Sequence, residues 1–502
     1  MRLARRLALL ALLLPASASA LSYALFLRPA ALKGIVRNAI RQYLSAEIEL
    51  GSVSIRPFSG LALRGIGVRT APGGGILFKA DRIGVRPRWS ALARMKFQVK
   101  ELRLHNADLR FTRNRAGRSN WHGVVARTPR GVPDAPPVFS LSNGRLTIGD
   151  SVIRGLDCEL APFPSGKLVA VRGKVDDPFW GAYSVSGNMD LGAETLRISL
   201  EARDLTVNER WLRAFPPAGG AVWDRYRPAG LFDLDGNISL SWGAPLDGDY
   251  NLIFTAKDAS CRYLAFPVTG ATARIFVDPR SVIVNHLEGK IFDGGVAGYT
   301  IANLDPPCTF YNRYTFEDVD IGSLLRRLQP AAAGLRGSGA GYVEFHGDHC
   351  RGELAGRGEI SVSNARLWEF PVLLPVISKA HLAWPTGHEP AQECRIVYTF
   401  TRQRIRIEAI TLTSDLLDLY GSGTVGLDGA LDLTLYARPA GTGPFLLAGL
   451  LQPALDSVSG GLAQFRVTGT ASDPAISVIP LSPVAGRIVD AFDSLTTGRP
   501  GP

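Results

Sequence analysis

The chain has 502 residues (54.0 kDa), 46% of them apolar and 20% charged. That is enough apolar material for a large core and unlike a disordered chain. Its 54 glycines and 33 prolines follow no three-residue period, which excludes collagen and reads as many turns and short elements. The net charge of +11 is concentrated. Residues 1–130 carry 24 Lys and Arg against five acids, and residues 131–502 carry 32 against 40, so a uniformly basic nucleic-acid binder is disfavoured.

In chain order, Arg2, Arg5 and Arg6 precede Leu7–Leu27, which carries no charge. About 20 apolar residues cross a bilayer as a helix, and positive charge before the span leaves the rest of the chain exported. Ala18-Ser19-Ala20 also fits a signal-peptide cleavage site, but apolar residues resume at Leu21, Tyr23, Leu25 and Phe26, which favours an uncleaved anchor. Next, Leu32, Ile35, Val36, Ala39, Ile40, Tyr43 and Leu44 form one stripe of a helix over Ala30–Ser45. Arg28, Lys33, Arg37 and Arg41 are candidate contacts to anionic headgroups. Packing of the stripe on the following domain is the alternative.

From residue 46 the apolar period becomes two. Leu102 and Leu104, then Leu109 and Phe111, alternate with polar residues, as do Leu196, Ile198 and Leu200, Ile238 and Leu240, Ile405 and Ile407, and Leu431, Leu433 and Leu435. Such segments are strands with one dry and one wet face. Asn143-Gly144, Asp235-Gly236, Asp247-Gly248, Asp293-Gly294 and Asp428-Gly429 read as hairpin turns. Long helical stretches between strands are mostly missing, so the expectation is a mainly β, extended antiparallel meander, with roughly 35–50 strands at one per 8–12 residues. Asn208–Phe215, Asp320–Gln329 and Ser482–Leu495 read as helices. The expected organisation is an anchor or signal (1–28), a basic module opening with the amphipathic helix (29–127), a Pro-rich linker (128–137), middle β repeats (138–334), C-terminal β repeats (335–481), and a terminal helix and disordered tail (482–502).

Chemistry-bearing motifs are sparse. His346, Asp348 and Cys350 share one face of a strand and could ligate a metal, but they sit at a strand end beside Gly352, where polar turn residues are normal, and a turn is the favoured reading. No nucleophile elbow, zincin helix, P-loop or dinucleotide fingerprint is present, so no enzyme, cofactor or metal is expected. Five cysteines (Cys158, Cys261, Cys308, Cys350, Cys394) do not form a disulfide scaffold, and their pairing stays open.

Several segments together resemble the AsmA family of bacterial envelope proteins. Gly51–Ile55 with Leu61–Val68 is similar to its paired opening strands, and Ala80–Ile83 through Val99–Leu104 to the next two. Asp108–Phe111 followed by Gly117-Arg118-Ser119-Asn120-Trp121 is similar to its "strand, glycine, Asn-Trp" ending. Gly356–Ile360 with Ala365–Leu367, Tyr420–Val425 and Val467–Pro474 resemble its last repeats. The resemblance covers about residues 1–125 and 335–480. It implies an elongated, curled β-groove with an apolar floor and no catalytic residues, held in the inner membrane through residues 7–27 with its bulk in the periplasm. It also implies phospholipid acyl chains as cargo, in inter-membrane transport or outer-membrane lipid homeostasis, and outer-membrane or other envelope proteins as possible partners. No nucleic acid is implied. On that reading Leu102, Leu104, Leu109, Phe111, Leu196, Ile198, Ile238, Leu240, Ile405, Ile407, Leu431 and Leu433 are groove candidates. A non-enzymatic envelope scaffold without lipid is the alternative, in which the same residues are ordinary core.

Overall fold

The computed structural model describes residues 33, 34, 37, 46–56, 60–70, 75–88, 99–112, 120, 137–149, 151–163, 168–190, 192, 193, 195–214, 219–241, 244–263, 266–328, 337–364, 393–413, 417–439, 463–470 and 473–479. The expected anchor, the terminal helix Ser482–Leu495 and the tail lie outside these. Contacts divide the chain into two compact units: Met1–Gly220 with Phe232–Ile253, and Ala221–Leu231 with Phe254–Pro502. The division falls inside the segment expected as middle repeats.

In the first unit, β1 (Glu47–Arg56), β2 (Gly60–Arg69), β3 (Ile76–Pro87), β4 (Val99–Phe111), β5 (Val138–Ile148), β6 (Ser151–Pro162), β7 (Leu168–Asp177), β8 (Gly181–Asp190) and β9 (Thr195–Val207) pair in chain order. Among the described residues this ladder does not close on itself. α1 (Glu209–Ala214) follows, capped by the Asn208 side chain, which accepts from the Trp211 N–H at 3.0 Å. α2 (Gly219–Tyr226), which sequence periodicity did not reveal, and the strands β10 (Ala229–Ser241) and β11 (Ala244–Tyr263) lead on. In the second unit, β12 (Phe266–Val277), β13 (Ser281–Ile291), β14 (Gly294–Asn303), β15 (Thr309–Asp320), β16 (Ser338–Asp348), β17 (Glu353–Ser363), β18 (Glu393–Thr401), β19 (Arg404–Thr413), β20 (Leu417–Gly426), β21 (Ala430–Pro439), β22 (Ala463–Thr470) and β23 (Pro474–Ile479) likewise pair with their chain neighbours. α3 (Ile321–Leu328) follows β15, with Asp320 capping the N–H groups of Gly322 and Ser323.

The mainly β, antiparallel expectation holds with one correction: β4 and β5 are parallel. A parallel pair needs a connection of a dozen or more residues, and roughly two dozen separate Phe111 from Val138. Asn120 secures the exit from β4. Its side chain accepts from the Thr112 N–H at 3.0 Å and donates to the Arg110 carbonyl at 2.8 Å. The strands are also fewer and longer than their expected spacing, mostly 10 to 13 residues.

Three of the five expected turns are not turns. Phe292 and Asp293, both at positive φ, make the two-residue bend between β13 and β14, and Asp428-Gly429 joins β20 to β21. Asn143-Gly144, Asp235-Gly236 and Asp247-Gly248 lie inside β5, β10 and β11. Asn143 belongs instead to a column of irregular positions running across the first unit. Gly65 (φ 62°), Asn106 (φ 51°), Asn143 (φ 52°) and Gly155 (φ 64°) are left-handed residues in β2, β4, β5 and β6. At each the strand switches parity: Leu61 and Leu63 give way to Ile66 and Val68, Leu102 and Leu104 to Ala107 and Leu109, and Leu141 to Gly144 and Leu146. The extra residue keeps the apolar side chains on one face on both sides of the column. A polar ladder ties the column together. Asn106 donates to Asp81 at 3.2 Å, Asn143 donates to Asn106 at 2.7 Å, and the Asn143 N–H donates to Asp157 at 2.7 Å.

This column yields a stability prediction. A Cβ at Gly155 would meet the Asp176 carbonyl oxygen at 2.2 Å, whereas one at Gly149 (φ 57°) would meet nothing within 4 Å. Gly149→Ala is therefore expected to cost only the left-handed backbone strain, about 1 kcal/mol. Gly155→Ala should cost distinctly more, about 3 kcal/mol, because the neighbouring strand must shift. Paired urea titrations measure the difference, and equal costs would reject the close approach of β6 and β7.

Candidate functional site

Residues directly opposite in a ladder point to the same face, so the register defines rows. In the first unit one row runs Val53–Leu63–Ile83–Leu104–Leu141–Cys158–Gly173–Val185–Leu200, and the next runs Leu61–Val85–Leu102–Phe139–Leu160–Val171–Gly187–Ile198. Nine consecutive strands thus present one uninterrupted apolar face. Its burial is graded. Val53, Leu63 and Ile83 are 7%, 2% and 8% exposed; Leu104, Cys158, Val185 and Leu200 are half-buried, and Phe139 is 37% exposed. The buried cluster of β1–β5 is flanked by Leu102, Leu104 and Leu109. Three expected groove residues therefore sit where a closed core passes into an open face.

In the second unit a row of ten strands runs Gly298–Tyr314–Val343–Gly358–Tyr398–Ile407–Gly423–Leu433–Val467–Ile476. Beside it runs Asn312–Phe345–Gly356–Phe400–Ile405–Val425–Leu431. Here the gradient is reversed along the chain. Leu433, Val467 and Ile476 are buried in a cluster of β17–β23, onto which α3 packs Ile321 and Leu324, whereas Val343, Phe345, Tyr398, Phe400, Ile405 and Ile407 are half-buried. Thr300, Asn312 and Tyr314 form a polar interruption on this face. The Thr300 hydroxyl donates to Asn312 at 2.8 Å and lies 2.5 Å from the Tyr314 hydroxyl.

Glycines shape the apolar face. Gly356 is paired with Phe400 and Gly358 with Tyr398, and a Cβ on either glycine would fall 2.5 Å from the opposing ring or hydroxyl. The rings therefore lie across the neighbouring backbone and do not stand upright, an arrangement that shields the glycine backbone. Phe310, Phe345 and Phe400 continue this layer with centroids 6.3 Å apart at each step. The expectation that glycine marks turns is thus corrected: much of it makes room inside strands.

Of the remaining groove candidates, Phe111 ends β4 opposite Ile148, and Leu196 and Ile198 lie in the half-open part of β9. Ile238 and Leu240 are half-buried in β10 and alternate with Asn237, whose side chain accepts from Ser199 at 2.7 Å on the polar face. Leu431 and Leu433 are full core. Sequence reasoning missed Val185, Phe345, Tyr398 and Phe400. For Phe345 the period-two signal was diluted by glycine at alternate positions, as in Gly339, Gly341, Val343, Phe345 and Gly347 of β16; Tyr398 and Phe400 alternate with Val397 and Thr399 in β18, a glycine-free strand. Lys33 and Arg37 are helical; Arg28, Arg41 and residues 7–27 lie outside the described residues. Among those described, no helix is long and apolar enough to cross a membrane.

At His346, Asp348 and Cys350 the strand-end turn is what the structure shows. Asp348 is buried and accepts from the N–H groups of Cys350 and Arg351, closing a turn, and Cys350 is bonded to Cys308. That disulfide ties the turn before β15 to the turn after β16. Cys158, Cys261 and Cys394 are free thiols.

No family model, curated protein or solved structure matches the chain.

Cys394 reports on the dryness of the second unit's face, where it pairs with Val362 and Leu412. Burial pushes its thiol up to about 12. Because the thiolate is the reactive form, Cys394 in the folded chain should react with iodoacetamide at pH 9 at least about a hundredfold more slowly than in urea. Peptide mass mapping after timed labelling measures the ratio, and a near-equal rate would show that water reaches the cluster.

Proposed function

We propose that the chain is a membrane-anchored, exported carrier that holds phospholipid acyl chains on its apolar sheet face. The supporting observation is the run of half-buried apolar rows beyond each closed cluster. A soluble sheet covers its dry face with another layer, yet Leu104, Val185, Ile198 and Leu200 in one unit, and Phe345, Phe400 and Ile405 in the other, retain solvent access. Each acyl CH₂ taken out of water contributes about 0.8 kcal/mol, so partial cover on a long row suits a sliding tail better than a rigid protein core. The half-open stretch β4–β9 spans about 24 Å at 4.8 Å per strand, against about 15 Å for the hydrocarbon of one leaflet. The Cys308–Cys350 pairing supports an oxidising compartment and thereby the exported reading. Inner-membrane anchoring through residues 7–27, a periplasmic body and a role in inter-membrane lipid transport extend the resemblance to the AsmA family and stand on the same test.

Alternation supplies the control. Benzoylphenylalanine placed at Ile198 in the full-length chain, expressed and irradiated in cells, should form a phospholipid adduct detected by mass spectrometry. The same probe at Ser199, one residue on and facing the other way, should form none. Absence of lipid adducts from both Ile198 and Phe345 would favour the scaffold alternative and overturn the carrier reading.

A further inference from the structure

Ion pairs line the polar faces of both units: Arg357–Glu344 at 3.2 Å, Arg395–Glu359 at 2.8 Å, Arg438–Asp418 at 3.0 Å and Arg466–Asp432 at 3.2 Å in the second, and Arg69–Glu49 at 3.3 Å, Arg86–Glu101 at 3.1 Å and Arg203–Asp235 at 3.1 Å in the first. One row of the first unit departs from this. In the first unit, Arg64 lies directly opposite Arg82. Like charges at facing positions oppose strand pairing, so the ladder itself gains nothing from this row. Among the described residues neither Arg64 nor Arg82 has a carboxylate partner. Lys79 and Arg145 extend the stripe on both sides of Asp108, whose carboxylate is already held by Arg110 at 2.8 Å.

We infer that the polar face of β2–β5, through Arg64, Lys79, Arg82 and Arg145, is a docking surface for the anionic headgroups of a lipid bilayer. The occupant is identified by chemistry and position. The four cations are spread over β2, β3 and β5, and no Phe, Tyr or Trp is interleaved among them on that face; Phe78 and Phe139 belong to apolar rows. The face therefore suits a sheet of phosphates and not stacked bases. The stripe also follows closely on the basic segment around Arg28–Arg41. The inference concerns the polar face alone and does not depend on acyl-chain binding to the other face.

The test uses the full chain reconstituted into vesicles of phosphatidylcholine alone or mixed with phosphatidylglycerol, each carrying a headgroup-linked quencher. A fluorescent amino acid replaces exposed Ser54, on the polar face beside the stripe, or exposed Ser199 of β9. Quenching at position 54 should appear only with phosphatidylglycerol and fade in high salt. It should fall roughly fivefold or more in Arg64→Glu/Arg82→Glu and less in Arg64→Gln/Arg82→Gln. Position 199 and the charge-matched control Arg197→Glu/Arg404→Glu should leave the signal unchanged, and circular dichroism identifies any variant that fails to fold. Equal quenching in both vesicle types, equal loss in the control pair, or retention of a labelled oligonucleotide without lipid-dependent quenching would each overturn the assignment.

Discussion

Continuity of one apolar face across laterally paired strands is the constraint on which the rest of the structure depends. A side-chain period of two leaves no tolerance: a single unmatched residue in one strand would turn its apolar set toward water. The first unit nevertheless contains an extra residue in several neighbouring strands. It tolerates them because they are aligned. Gly65, Asn106, Asn143 and Gly155 take left-handed conformations at adjacent positions, so the strands change parity together and the rows resume in step. The Asp81–Asn106–Asn143 side-chain bonds link these positions, and Asp157 accepts from the Asn143 N–H that the irregular backbone exposes. The irregularity is thus a property of the sheet and not of any one strand.

On the carrier reading, a continuous apolar face also has to be thin enough to remain accessible. Large rings standing upright on adjacent strands would fill the space above the sheet and make a sandwich core. Glycine opposite the ring resolves this, because the ring can lie across the neighbouring backbone. The Gly356–Phe400 and Gly358–Tyr398 pairs retain aromatic contact area while keeping the layer low. Glycine inside strands weakens them. The second unit offsets that with ring contacts, with α3 over the closed end of the face, and with the Cys308–Cys350 bond at its margin.

Much of this was legible in the sequence and some was not, for identifiable reasons. Strand identity followed from alternation, and the helices Glu209–Ala214 and Ile321–Leu328 fall within the expected helical segments Asn208–Phe215 and Asp320–Gln329. The shift from even-numbered Leu102 and Leu104 to odd-numbered Leu109 and Phe111 was visible too. It is the signature of the Asn106 irregularity, although alternation alone does not say that neighbouring strands share it. Asn143-Gly144 misled because a residue suited to positive φ serves a mid-strand bulge as well as a turn. Parallel pairing of β4 and β5 was hidden because nothing local distinguishes a long hairpin loop from a crossover. The rings over glycines were hidden because the glycine beneath each ring lies on the neighbouring strand, and alternation within one strand does not show what stands opposite it.

The two faces therefore carry separate information. The apolar rows follow one plan in both units: a closed cluster, then a graded opening, with glycine and large side chains interleaved. Such repetition fits a task shared along the chain, as holding an acyl chain would be. The polar faces do not repeat. Cations are matched to carboxylates in both units, but in the first two arginines, Arg64 and Arg82, are also set directly against one another. Core packing cannot be the reason for a difference confined to the solvent side, and the ladder would be better served by alternating charges. The asymmetry is instead what a surface requires when its counter-charge lies outside the molecule, and on the proposed reading cargo and attachment would fall on opposite sides of the sheet.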